Sequence, residues 1–111
     1  MFNLFKKNSD KNSEYKFPDS SNTACFVCDH VLSRERPILH ATHDHDGYWQ
    51  FICGQNDHVE SNAKIISIGQ ATEIDNSIND LFEMPMGVGA NRKSIGDKWV
   101  PYKLPNEQSD T

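Results

Sequence analysis

Two runs of alternating apolar and polar residues, 37–42 and 48–53, flank the turn sequence Asp44-His45-Asp46-Gly47. Asp-Gly between alternating runs is the strongest short-range hairpin signal, because glycine takes positive φ without a Cβ clash. The pattern predicts a β-hairpin. Period-two alternation puts Trp49, Phe51 and Cys53 on one face and Tyr48, Gln50 and Ile52 on the other. The first set is bulkier and less polar and is assigned to the core.

Other segments extend this sheet. Residues 64–68 are short and β-branched, which suits a third strand better than a helix. Residues 24–27 read as a short strand leading into a turn at Cys28, and residues 98–100 as a closing strand. Residues 77–83 form the one convincing helix, with Ile78, Leu81 and Phe82 on a single stripe. Asp75, Asn76 or Ser77 caps it and Pro85 stops it. Residues 86–96, with three glycines, are expected to be loop. The expected fold is α+β: a small antiparallel sheet of four to five strands on one short helix. Residues 1–22 read as a disordered polar leader, 23–104 as one α+β domain and 105–111 as a flexible tail.

A chain of 111 residues leaves no room for a TIM barrel or a full dinucleotide-binding fold. Sixteen acidic against eleven basic residues give a net charge of −5, which disfavours a passive nucleic-acid binder. Arg92, Lys93 and Lys98, the local basic cluster, read as a solvated edge whose charges block strand pairing. The chain has neither a signal-peptide core nor a stretch of ~20 apolar residues, so a cytoplasmic protein is expected, without membrane partners.

The three cysteines, Cys25, Cys28 and Cys53, are odd in number and argue against a disulfide framework. Cys25-x-x-Cys28 has the knuckle spacing of a zinc site, and Cys53 with His58 supplies a second pair. The two pairs converge as Cys3His if the Cys25 segment abuts the hairpin. Zn²⁺ is then the expected cofactor, as a structural staple for a small core. Two other readings stay open: Cys53 as a small buried hydrophobe, and Cys25 with Cys28 as a redox pair. The redox reading lacks the βαβ context that usually activates such a pair.

His40, His43, Asp44, His45 and Asp46 crowd the hairpin turn. Alternation sets His43 and His40 on opposite faces, so convergence as a hydrolase-type metal centre is not expected. Gly87-Val88-Gly89 lacks the remaining parts of a dinucleotide motif.

Residues 46–54, with Gly47, Trp49, Phe51 and Gly54 followed by acidic and amide residues up to Glu60, resemble a known segment. It is the GW-x-F-x-G-x-E/D segment of small bacterial proteins of unknown function, among them predicted immunity proteins of polymorphic toxin systems. An extra residue separates Gly47 from Trp49 here, and the family pattern does not require Cys25, Cys28 or His58. The resemblance implies an α+β domain that binds another protein, a toxin-like partner, without catalysis. Acidic steering toward a basic enzyme then falls to Asp44, Asp46, Asp57 and Glu60. The competing readings are a zinc-stabilised module of other purpose and a small metal- or thiol-dependent enzyme.

Overall fold

The computed structural model describes residues 15–55 and 62–105. The elements run β1 (Ala24–Cys28), α1 (Asp29–Leu32), β2 (His40–His43), β3 (Trp49–Ile52), β4 (Ala63–Ser67), α2 (Ile68–Ile74), a 3₁₀ helix (Asn76–Leu81), β5 (Val88–Asn91) and β6 (Val100–Lys103). This is an α+β fold. The six strands form one sheet in the order β4-β1-β3-β2-β5-β6.

The hairpin forms as expected. β2 and β3 pair antiparallel, with Ala41 opposite Phe51 and His43 opposite Trp49. Gly47 takes φ of 93° in the turn, and its amide donates to the Asp44 carbonyl at 2.9 Å. The sheet is mixed rather than wholly antiparallel. β1 lies parallel to β3, with Phe26 opposite Gln50 and Val27 opposite Phe51. β4 then adds antiparallel to the far side of β1, with Phe26 opposite Ile65.

The registers sort the side chains into two faces. Val27, Phe51, Ala41 and Ala90 lie in one row across four strands and are all buried. Trp49 and Phe51 stack at 5.7 Å, and Phe17 meets Trp49 edge-on at 4.9 Å. Val31, Ile68, Ala71, Ile78 and Leu81 from the helices complete this core. Phe17 belongs to the stretch expected to be a disordered leader, yet it is only 5% exposed. Its ring packs edge-on against both Trp49 and Phe51. The ordered unit therefore begins by Tyr15, while residues 1–14 and 106–111 lie outside the described residues.

The opposite face carries the row Ile65, Phe26, Gln50, Thr42, Gly89, Tyr102. No helix covers it among the described residues: Ile65, Tyr48, Val100 and Tyr102 are exposed. Tyr102 lies so close over Gly89 that a Cβ there would meet its ring at 2.6 Å.

Three local departures have physical causes. The Ile-rich run ends as a strand at Ser67 because Ser67 and Gln70 form a reciprocal capping box that starts α2. Val88–Asn91, expected to be loop, is a strand because Gly89 and Ala90 are small enough to slot between β2 and β6. Arg92, expected at a solvated edge, is 6% exposed. Its guanidinium donates to the Ile38 carbonyl, to Ser77 Oγ and, at 2.6 Å, to Asp75 Oδ2. It also covers the Trp99 ring at 4.2 Å. Asp75 in turn caps the 3₁₀ helix by accepting from the Ser77 amide.

This network ties β2, β5 and the α2–3₁₀ junction together. Asp75→Ala strips the buried guanidinium of its counter-charge and is expected to cost about 3 kcal/mol in urea unfolding. A loss under about 1 kcal/mol, the range of an exposed pair, contradicts a buried network.

Candidate metal centre

The parallel register of β1 on β3 decides which cysteines meet. Val27 faces Phe51, so the next residue along β1, Cys28, arrives beside the end of β3. Cys53 is the first residue past β3. The two thiols come within hydrogen-bonding reach of one another. Cys28 also serves as the N-cap of α1, and His30, two residues on in that helix, reaches the same corner. One donor atom from each of Cys28, His30 and Cys53 lies within 4.8 Å of the others.

Cys25 does not join them. Both Cys25 and Cys28 lie on the extended strand β1, not on a turn. Three residues of strand separate them by ~10 Å, and an odd spacing sends their side chains to opposite faces. The expected Cys25–Cys28 knuckle is thus replaced by a Cys28–Cys53 pair, with His30 as the third donor. His58, expected as the fourth ligand, lies outside the described residues, as do Asp57 and Glu60. His30 escaped the sequence reading because Cys28-x-His30 is a ligand spacing only where a strand turns into a helix.

The surroundings suit a soft divalent cation. Tetrahedral zinc with Zn–S near 2.3 Å and Zn–N near 2.0–2.1 Å sets its donors ~3.5–3.8 Å apart. From separations within 4.8 Å, the present donors need to close in by about 1.3 Å at most. Cys28 and Cys53 are 3% and 1% exposed, which limits competition from bulk water, while His30 is half-buried. Arg36 Nη1 lies 3.5 Å from Cys53 Sγ and 3.4 Å from His30 Nδ1. Asp29 Oδ1 is also 3.4 Å from His30 Nδ1. A carboxylate beside a ligating imidazole fixes the ring and raises its basicity. Asn62 Nδ2 donates to both Asp29 oxygens at 3.2 and 3.0 Å, which is the main reason that carboxyl titrates below its ordinary value. Burial raises the Cys28 thiol, and the amides of Val31 and Cys53 pull it back.

The histidines of the hairpin stay apart, as alternation requires. His43 stacks on Trp49 at 4.0 Å and its Nδ1 meets the Met84 carbonyl at 2.7 Å. His40 sits on the opposite face, where its Nε2 pairs with the Tyr102 hydroxyl. His45 Nε2 reaches the Pro105 carbonyl at 2.9 Å. Gln50 Nε2 donates to Asp44 Oδ2 at 2.8 Å, and the Tyr48 amide to Asp46 Oδ1 at 3.1 Å. Both carboxylates therefore help hold the turn at the rim of the uncovered face.

Cys25, wholly buried, behaves as a core thiol. Burial pushes it from its ordinary 9.0 up to about 12. The folded protein keeps this proton where the unfolded chain has lost it, so stability falls as pH rises through that interval. Cys25→Ala is expected to flatten the fall in urea midpoint between about pH 9 and 11, leaving the part due to Tyr15, which burial also pushes to about 12. An unchanged slope contradicts the burial of Cys25 as a neutral thiol.

Comparison of the chain with protein-family models, curated proteins and solved structures finds no match.

Proposed function

We propose that this protein is a small non-catalytic module that holds Zn²⁺ through Cys28, His30 and Cys53 and offers its uncovered sheet face to a protein partner. The observation that carries the zinc reading is the convergence of two thiols and one imidazole at the β1–α1 corner. Thiolate with imidazole is the donor set that zinc prefers over harder divalent ions. The corner joins the ends of β1 and β3 to α1, so an ion there fastens three elements of a small core. Binding of an ion to the folded state alone adds roughly 2.7 kcal/mol when zinc stands at 100 times its Kd.

The partner reading is supported by two features. The sheet face bearing Phe26, Tyr48, Ile65 and Val100 is apolar and exposed in part, as interaction surfaces are. Asp44 and Asp46 edge it, and the chain is acidic overall. The resemblance of residues 46–54 to immunity-protein segments favours a basic, toxin-like enzyme as the partner, approached under electrostatic steering.

Protein purified without a polyhistidine tag is expected to carry one equivalent of zinc by elemental analysis. Cys28→Ser and Cys53→Ser lose it, Cys25→Ala retains it, and Asp29→Asn weakens affinity about 10–100-fold. Zinc kept by Cys28→Ser, or lost in a folded Cys25→Ala, contradicts the assignment. For the partner, the probe is a basic, toxin-like protein, taken from beside this chain's gene where one is encoded there. Asp44→Lys with Asp46→Lys is expected to slow association about tenfold and flatten its dependence on salt, with dissociation little changed. An unchanged association rate removes this rim from the interface.

A further inference from the structure

The structure forms no disulfide, yet it treats its three cysteines unequally. Cys28 ends β1 and Cys53 follows the end of the adjacent parallel strand β3, with their sulfurs within 4.8 Å of one another. Cys25 points into the core one strand length away. A cavity of about 150 Å³ lies against Cys28, walled by Phe26, Ile52 and Asn62 among others, on the side of the uncovered sheet face. A peroxide is little larger than water, whose share of liquid volume is ~30 Å³, so the cavity admits it. Arg36, 3.5 Å from Cys53 Sγ, supplies positive charge beside the second sulfur.

We propose that Cys28 and Cys53 are a redox pair that a hydroperoxide converts to a disulfide, and that closing this bridge expels the bound metal. The Cys28 thiol gives up its proton as its sulfur attacks the peroxide, forming an S–O bond as the O–O bond breaks, and the departing hydroxide takes up that proton and leaves as water. The product is a sulfenic acid on Cys28. The Cys53 thiolate then attacks the Cys28 sulfur, forming S–S as S–O breaks and hydroxide leaves to become the second water. Two thiols are oxidised by two electrons in all, and one hydrogen peroxide is reduced to two waters. The sulfurs must close to ~2.05 Å, a shorter approach than any route from Cys25 allows. The bridge consumes two of the three donors, leaving His30 alone at the ion. Expulsion rests on the zinc reading above; bridge formation does not.

The test treats the reduced full-length chain, once stripped with a chelator and once loaded with zinc, with hydrogen peroxide. Alkylation of the remaining thiols and peptide mapping then locate any bridge. A chromogenic chelator follows released zinc in the loaded sample. The expected result is a Cys28–Cys53 peptide lacking two hydrogens in both samples, with Cys25 alkylated only after unfolding. The single bound equivalent of zinc is released in step with the bridge and rebinds after dithiothreitol. The same bridge forms in Cys25→Ala. A bridge that includes Cys25, or sulfinic acid on Cys28 without a bridge, overturns the pair. Zinc retained after the bridge has formed overturns expulsion. A Cys28–Cys53 bridge in a chain that never takes up zinc upholds the pair and overturns the zinc reading instead.

Discussion

The pairing of β1 with β3 is the constraint on which the rest of the molecule depends. Among the described residues it is the one parallel contact in the sheet, and it lets β1 sit beside the hairpin in the same direction as β3. Its register aligns Val27 with Phe51, which completes the buried row, and carries Cys28 to the end of β3 where Cys53 emerges. A slip of one residue exchanges the faces of every β1 side chain. Phe26 would then enter the core, and Cys28 would leave Cys53. The packing of the core and the assembly of the candidate metal corner are consequences of the same alignment.

That coupling explains the contrast between Cys25 and Cys28. Both are buried, but Cys25 faces the core, where a thiol acts as a small hydrophobe held neutral by its surroundings. Cys28 stands at the strand's end, where the chain turns into α1 and the amides of Val31 and Cys53 become available. Polar neighbours gather on that side: His30, Arg36, Asp29 and Asn62 interact in sequence around it. The molecule separates its two tasks by place, with apolar packing through one sheet face and donor chemistry at one corner.

Much of the architecture is legible in local pattern. Asp46-Gly47 between alternating runs fixes the hairpin, and the same alternation places Trp49, Phe51 and Cys53 inward and keeps His40 and His43 apart. The features that escape are those set by distant partners. Arg92 looks like a surface charge until Asp75, seventeen positions away, is packed against it. Gly89 and Ala90 carry no strand signature; they become β5 because their small size fits between neighbours already in place. The start of α2 is written in Ser67 and Gln70 as a capping box, but the β-branched run before it masks the change of period. Cys25-x-x-Cys28 misleads for a similar reason. The spacing makes a knuckle on a turn and a divided pair on a strand, and strand pairing decides which.

In the proposed zinc centre Cys28, His30 and Cys53, not Cys25, form the coordination sphere. X-ray absorption at the zinc edge of the metal-loaded protein reads that sphere directly. Two sulfur scatterers at about 2.3 Å and at least one imidazole nitrogen at about 2.0–2.1 Å are expected, with an unchanged spectrum in Cys25→Ala. A shell of three sulfurs, or one of oxygen and nitrogen alone, contradicts that donor set.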